Sequence, residues 1–217
     1  YSSPPNDSFR VIALWLYFGG ETVFLQDANS LIMKTPQLVE VLRFLKQTFP
    51  SITRITSYAR SETTARKTLE ELKELHDAGL SRLHVGLESG CDEVLKFVQK
   101  GVTAAEHISG GRKVMESGIS LCDYVMPGLG GRRWSKEHAV ETARVLNEIN
   151  PDFIRLRSLM LREDLPLYQK WQSGEFELLT DDEVVQEIAE IIQRLEVTSY
   201  LASDHIENLL QEVEGQL

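Results

Sequence analysis

The chain has 217 residues, of which 42% are hydrophobic and 26% are charged. This composition is typical of one globular domain that buries a continuous core. The net charge of −10 argues against broad binding to a phosphate backbone, although a local basic patch on an acidic protein could still contact RNA. No apolar run approaches the roughly 20 residues that a membrane span needs.

The two cysteines, Cys91 and Cys122, lie far apart in the sequence. Their number and spacing exclude a disulfide scaffold and a CxxC metal knuckle within these residues. We interpret both as part-buried thiols in a reducing compartment, and we therefore expect a cytoplasmic protein. No metal ligand is assigned within this chain.

Short apolar segments alternate with amphipathic segments from Glu21 onward. The amphipathic segments have helical spacing and are bounded by capping residues. Thr103 and Glu106, for example, form a capping box that begins a helix, and Gly118 ends it. Successive strand starts are separated by roughly 30 residues, which is the length of one strand-plus-helix unit. We predict strands at 22–26, 52–57, 82–87, 119–126 and 153–159, with helices between them that include one at 63–78.

Strands that alternate with helices predict an α/β fold with a parallel sheet. A closed eight-unit barrel typically needs about 250 residues, and five units with a sixth strand at Phe9–Ile12 are too few to close one. We therefore predict an open, partial (β/α)6 TIM-like barrel with parallel strands and added C-terminal helices. A doubly wound sheet has a similar periodicity and stays open as an alternative.

The pattern changes after residue 162, where helices follow one another without intervening strands. Thr180 and Glu183 form a capping box at the start of an amphipathic helix that extends to Leu195. A last helix is predicted at Ser203–Val213. We assign residues 1–162 to the barrel and residues 163–217 to a helical extension that packs on it.

Polar residues and glycines follow the predicted strands, at the sheet edge where parallel α/β folds bind ligands. Glu88 ends an apolar strand, and its carboxylate could accept hydrogen bonds from the two hydroxyls of a ribose. The alternative for Glu88 is a local role as a helix N-cap. Gly128 belongs to a PGLGG segment that would let a ligand approach the backbone, although this segment lacks the lysine of a phosphate loop.

Several motifs together carry a family resemblance. They are FLQDANSL, SYAR, HVGLESGCDEVLKFVQKGVT, YVMPGLGG and RLRSLML with a following GEFELLT. In this order they resemble radical S-adenosylmethionine (SAM) proteins, in particular the group of methylthiotransferases, oxygen-independent coproporphyrinogen oxidases and the tRNA-modifying elongator subunit. The resemblance covers about Val23 to the C-terminus, and its most specific part is GLESG…DEVLK…KG.

The resemblance implies a SAM site at the strand ends. Glu88 would hold the ribose hydroxyls, and Lys100 would contact the methionine carboxylate, with a helix C-terminal cation as the compatible local role for Lys100. Arg60 would face substrate or cosubstrate. The other implied cofactor-binding residues are Gln26, Asp27 and Ala28 at the methionine amino group, Tyr124, Gly128, Ser158 and Met160 at the adenine, and Ser57 and Tyr58 beside Arg60.

The resemblance also implies an activity: reductive cleavage of SAM at a [4Fe–4S] cluster to a 5′-deoxyadenosyl radical, which acts on a substrate that the sequence does not identify. An electron donor such as flavodoxin or ferredoxin would be a partner, and the final apolar helices leave homo-oligomerisation open. No catalytic residue is assigned. Two alternatives remain, a non-radical α/β-barrel lyase or isomerase that uses Glu88, Lys100 or Arg60 as acid–base groups, and a cluster-less module that binds SAM or another nucleotide.

One departure from the family concerns the metal ligands. The family binds its cluster through a CxxxCxxC motif after the first strand, and these residues contain no such motif. We expect the ligand cysteines to lie outside this chain, with the cluster-loop segment missing near residues 12–16. On that expectation the chain by itself is inactive.

Overall fold

The structure, a computed structural model, describes residues 7–26, 28–211 and 213–217. Its centre is a seven-stranded sheet in which the strands follow chain order. Strands β1 to β6 pair in parallel, and β7 pairs antiparallel to β6. The strands are β1 Thr22–Leu25, β2 Arg54–Ala59, β3 Leu80–Glu88, β4 Ser120–Val125, β5 Phe153–Leu156, β6 Tyr200–Ala202 and β7 Glu214–Gln216.

Helices connect the parallel strands and pack on one face of the sheet. The hydrophobic core lies between these two layers, and leucines such as Leu42, Leu72, Leu83 and Leu121 are almost completely buried there. The helices are α1 Asp7–Tyr17, α2 Thr35–Thr48, α3 Ser61–Arg66, α4 Leu69–Asp77, α5 Asp92–Phe97, α6 Ala104–Glu116, α7 Gly131–Ile149, α8 Pro166–Gln172 and α9 Asp181–Gln193.

The sheet is open, since β1 and β7 form its two edges among the described residues. A parallel sheet with its helices on one side and a concave opposite face is the arrangement of a barrel that does not close. The prediction of an open, partial α/β barrel with parallel strands and C-terminal helices is confirmed. The five strands predicted from the repeat correspond to β1 to β5.

Helix starts follow the local sequence chemistry. Thr103 and Thr180 each accept a hydrogen bond from the backbone N–H three residues on, and the glutamate at that position bonds back to the threonine N–H. These are the two capping boxes predicted above. The predicted helix at 63–78 is instead two helices, because a third capping box at Thr68 and Glu71 begins α4 and leaves Lys67 extended.

Two sequence predictions at the ends of the chain were wrong. Phe9–Ile12, expected as a sixth strand, lies in α1, where the strong helix formers of the following Ala-Leu-Trp-Leu segment extend the helix. The helix α1 also continues through residues 12–16, so the position of a missing cysteine segment there stays a prediction. The sixth parallel strand is β6 instead.

In the segment Ser203–Val213, expected as a helix, residues 203–211 and 213 form no helix and precede β7. Asn208 holds this segment, because its amide donates to the Leu156 carbonyl and to the Ser203 hydroxyl at 3.0 and 2.9 Å. The bond to Leu156 holds this segment against the end of β5, and such a long-range contact can override local helix propensity. Residues 163–217 therefore contribute β6 and β7 to the sheet as well as α8 and α9, and the domain division at residue 162 stays a prediction.

Among the described residues, no helix combines the length and apolar character that crossing a bilayer requires.

Gly90 lies where the loop after β3 passes closest to α7. A Cβ atom at this position would sit 2.7 Å from the Thr142 Cα and even closer to the Glu141 carbonyl. Both contacts are to backbone, so neither can be relieved by a side-chain rotation. We expect Gly90→Ala to lower the free energy of unfolding by about 2 kcal/mol or more, measured by urea denaturation. The control Gly215→Ala, where a Cβ meets nothing within 4 Å, should change it by less than about 0.5 kcal/mol, and an equal effect of the two changes would contradict this packing.

Asp123 in β4 is buried, and its Oδ2 atom has no hydrogen-bond partner among the described residues. Burial raises the pKa of this carboxyl to about 8. The folded state therefore keeps a proton that the unfolded state releases near pH 4, and stability falls as the pH rises from about 4 to about 8. Calorimetry at pH 5 and pH 8 gives the Tm of Asp123→Asn and of wild type. We expect the Tm of the variant, relative to that of wild type, to be higher at pH 8 than at pH 5. The exposed control Asp77→Asn should show no such trend, and parallel pH profiles for Asp123→Asn and wild type would refute the account.

Candidate functional site

The concave face of the sheet opens into a cavity of about 600 Å³ at the carboxyl ends of the strands. An adjoining cavity of about 500 Å³ extends over the loops after β3, β4 and β5. Arg60, Glu88 and Lys100 line both cavities. The other sequence-predicted residues found there are Gln26, Ala28, Tyr58 and Tyr124 in the first cavity and Ser158 and Met160 in the second.

Glu88 is placed by an unusual backbone conformation at the end of β3. Its φ of 64° lies in the left-handed region, which non-glycine residues adopt only when their surroundings impose it. The register with β4 shifts between Gly86 and Glu88 at the same point. The carboxylate consequently turns toward the cavity and forms an ion pair with the Lys100 ammonium.

The ion pair needs a glycine beneath it. A Cβ atom on Gly86 would lie 2.9 Å from the Glu88 Oε1 and 3.1 Å from the Lys100 Nζ. The helix N-cap role considered for Glu88 is not observed, because the N-cap of α5 is Cys91. Both charged side chains lie at the rim of the cavity, and their direct pairing is seen only in the structure.

Buried hydrogen bonds fix the residues that follow Glu88. The Ser89 hydroxyl lies 2.8 Å from the His138 Nδ1 atom and accepts from the Cys91 N–H at 3.0 Å. The Gly90 N–H donates to the Thr142 hydroxyl at 2.9 Å. Since His138 and Thr142 both belong to α7, this helix anchors the strand end that carries Glu88.

Glu187 of α9 anchors the loop after β4 in the same way. Its Oε1 accepts from the Gly128 N–H at 2.6 Å, and its other oxygen accepts from the Ser135 hydroxyl. Burial raises the pKa of Glu187 and lowers the pKa of His138 to about 4. His138 is thus neutral near pH 7, and its Nε2 atom is 3.6 Å from the Glu187 carboxylate, beyond hydrogen-bond distance.

Gly128 and Ser57 do not reach the cavities. Gly128 is buried and its N–H is taken by Glu187, so this backbone contacts α9 rather than a ligand. Ser57 is fully buried, and its hydroxyl donates to the Tyr58 carbonyl. Because side chains alternate along a strand, Ser57 points to the helix layer while Tyr58 lines the cavity. Asp27 lies outside the described residues.

Aromatic rings form the floor of the first cavity, and sequence reasoning missed one of their central members. His84 packs against Phe24 and Tyr58 at ring distances of 5.4 and 5.9 Å, and its Nδ1 lies 2.7 Å from the Tyr124 hydroxyl. Burial, followed by the charge of Arg155, lowers the pKa of His84 to about 4. The two-residue alternation in RLHVGLE places His84 on the face of Glu88, a signal that was available in the sequence.

The chain's own cysteines do not fit an iron–sulfur cluster. Cys91 and Cys122 are both free and buried, and burial raises the pKa of both thiols, that of Cys122 to about 12. Cluster iron is held by thiolates. Across residues 7–26, 28–211 and 213–217, no group of three or more His, Cys, Asp or Glu side chains could hold a metal ion.

Curated relatives match part of the chain. A tRNA uridine(34) acetyltransferase of Methanocaldococcus infernus is 23% identical over 121 residues, which are 55% of this chain and 23% of that protein. The uncharacterized protein YtqA of Bacillus subtilis is 20% identical over 139 residues, which are 64% of this chain and 42% of that protein. The chain thus spans less than half the length of these relatives.

Solved structures share the fold. The archaeal Methanocaldococcus infernus Elp3 with an N-terminal deletion matches with a TM-score of 0.67 and 15% identity, over 91% of this chain and 52% of that one. Coproporphyrinogen III oxidase (HemN) of Escherichia coli, a radical SAM enzyme, matches with a TM-score of 0.65 and 18% identity, over 85% of this chain and 43% of that one. The TM-scores show that the folds are alike, and at identities this low the comparison shows the fold alone.

A comparison with protein-family models shows the family of this chain. The model of the radical SAM superfamily matches residues 7–146, more than half of the chain. The matched region contains the strands β1 to β4 and the charged pair at the rim of the cavity. By this match, the chain belongs to the radical SAM superfamily.

Proposed function

We propose that the cavity at the strand ends binds SAM, as part of a radical SAM enzyme whose substrate is unidentified. The observation that carries the proposal is the Glu88–Lys100 ion pair, which sits between two cavities at the carboxyl end of β3. Superfamily membership implies SAM and a [4Fe–4S] cluster as cofactors. The pair offers one acceptor and one cation to a ligand that carries both hydroxyl groups and a carboxylate.

Glu88 supplies the acceptor for the ribose. An ionised carboxylate has two oxygens and accepts from both hydroxyls of a diol. Its left-handed backbone, anchored through Ser89 and His138, holds the side chain in place before the ligand arrives. Such pre-organisation lowers the entropy cost of binding.

Lys100 supplies the cation for the methionine carboxylate. Its ammonium has three donors, so it can contact a second carboxylate while it remains close to Glu88. Gln26 and Ala28 line the same cavity, and we assign them to the methionine amino group because the resemblance implies this role. Met126 lines both cavities and offers an apolar surface to the adenine.

The proposal also includes reductive cleavage of SAM, with an electron from a flavodoxin- or ferredoxin-type donor. Membership of the superfamily is the only support for this part. We assign none of its steps to Cys91 or Cys122, because both are buried in the fold and two thiolates are too few. A cluster beside this cavity requires thiolates other than these two.

A second candidate is a module that binds SAM without the cluster. The buried cysteines favour this function for the 217 residues taken by themselves. The two candidates share the binding site and differ in turnover. Anaerobic reconstitution of the full-length gene product with iron and sulfide, followed by addition of SAM and a strong one-electron reductant such as dithionite, separates them. 5′-Deoxyadenosine then forms from SAM only in the radical enzyme.

The first prediction on SAM binding concerns Glu88. Glu88→Gln is expected to weaken binding of both SAM and 5′-methylthioadenosine by about tenfold or more, because both ligands carry the ribose diol and hydrogen bonds to a charged group are strong. Isothermal titration calorimetry measures both affinities. The exposed control Glu40→Gln should bind as wild type, and an unchanged affinity in Glu88→Gln would remove the ribose role.

The second prediction separates Lys100 from Glu88. Lys100→Met removes the cation but keeps an unbranched side chain, so we expect a loss of about tenfold for SAM. Binding of 5′-methylthioadenosine should be retained, because this ligand lacks the methionine carboxylate. Calorimetry with both ligands, using the exposed Lys73→Met as control, gives the comparison; equal losses for the two ligands would show that Lys100 acts elsewhere.

A further inference from the structure

Four arginines project from the concave face of the sheet. They are Arg54 of β2, Arg82 of β3, and Arg155 and Arg157 at the end of β5, and we call them the inner arginine cluster. They share this face with the aromatic floor, since the Arg82 guanidinium lies 4.0 Å from the Phe153 ring centre and that of Arg157 lies 4.7 Å from the Tyr124 ring centre.

The register of the strands arranges the cluster as a line below the rim. Arg155 is level with Tyr124, Arg82 is level with Ser120, and Arg54 comes two residues before the partner of Arg82. Successive side chains on one face of a strand are about 6.6 Å apart along it. The line therefore descends from Arg157, which lines the first cavity, toward the amino-terminal ends of the strands, where Arg54 is exposed.

The cluster carries more positive charge than the neighbouring carboxylates balance. Asp204 lies 3.4 Å from both Arg155 and Arg157, whereas Arg54 and Arg82 have no carboxylate within 4.0 Å in the part of the chain that the structure describes. The Arg155 Nε atom is buried and has no hydrogen-bond partner there either. An unmatched guanidinium group in a partly buried face is costly unless an anion binds to it.

Most arginines on the outer surface are paired with a carboxylate, although the exposed Arg43 and Arg133 have none within 4.0 Å among the described residues. Six of them each lie within 4.0 Å of a carboxylate, namely Arg66, Arg112, Arg132, Arg144, Arg162 and Arg194. The chain as a whole has a net charge of −10, so acidic partners are abundant. Their scarcity on the concave face is a local property of that face.

We propose that the inner arginine cluster binds an oxoanion group of the substrate, a phosphate or a carboxylate. Guanidinium groups bind both through paired N–H donors. Because Arg157 lines the cavity that also contains Glu88 and Lys100, an anion on the cluster places the rest of its molecule beside the SAM site. The term substrate rests on the proposed function, while the anion site itself does not.

The test titrates the folded chain with inorganic phosphate and with succinate, by calorimetry at low ionic strength. Saturable binding of phosphate alone, of succinate alone or of both supports the site and distinguishes the two sources of the oxoanion. The double variant Arg82→Gln/Arg155→Gln should lower the affinity by about tenfold or more. Absence of saturable binding of either anion to the wild-type chain overturns the proposal.

Two control variants show whether anions bind to the inner arginine cluster or to positive charge in general. Arg112→Gln/Arg144→Gln removes two outer arginines and should leave anion binding unchanged; an equal loss there would overturn the proposal by showing general charge attraction. Arg82→Lys/Arg155→Lys keeps the charges and should recover part of the affinity, and circular dichroism verifies that each variant is folded. The SAM affinity of the Arg82→Gln/Arg155→Gln variant should stay within about twofold of wild type. The experiment therefore tests the proposed anion site separately from the proposed SAM site.

Discussion

The rim of the cavity depends on the left-handed backbone of Glu88, which turns its carboxylate toward Lys100. The close approach of Gly90 to α7 and the buried bond between Ser89 and His138 maintain this conformation. Strained backbone persists where the surroundings over-determine it, and such places are commonly binding sites. Here the packing of an outer helix fixes the geometry of a charged side chain on the inner face.

Helix and strand order could be predicted because the periodicity and the capping boxes are local signals. The boxes at Thr103 and Thr180 begin α6 and α9 as expected. The loop conformation of residues 203–211 could not be predicted, because the bond of Asn208 to Leu156 forms only after distant segments have met. Long-range contacts of this kind override local helix propensity.

The same distinction between local signals and long-range contacts applies to the residues of the candidate site. Glu88, which its strand end suggested, lines the cavity together with Lys100, Tyr58 and Tyr124, which the resemblance implied. Ser57 points away because it occupies the other side of β2. Strict two-residue alternation would have excluded Ser57 and included His84. The interaction of Gly128 with Glu187 required the position of α9, which no short-range pattern specifies.

The two faces of the sheet therefore have different roles. The outer face supplies the packing that holds the strand ends, and the inner face carries the Glu88–Lys100 pair above a line of arginines. The most direct measurement is a double cycle between Glu88→Gln and removal of the ribose 2′-hydroxyl, using adenosine and 2′-deoxyadenosine in calorimetry. The account predicts that the hydroxyl strengthens binding to the wild-type chain but hardly to the variant, whereas an equal effect of the hydroxyl in both proteins would contradict it.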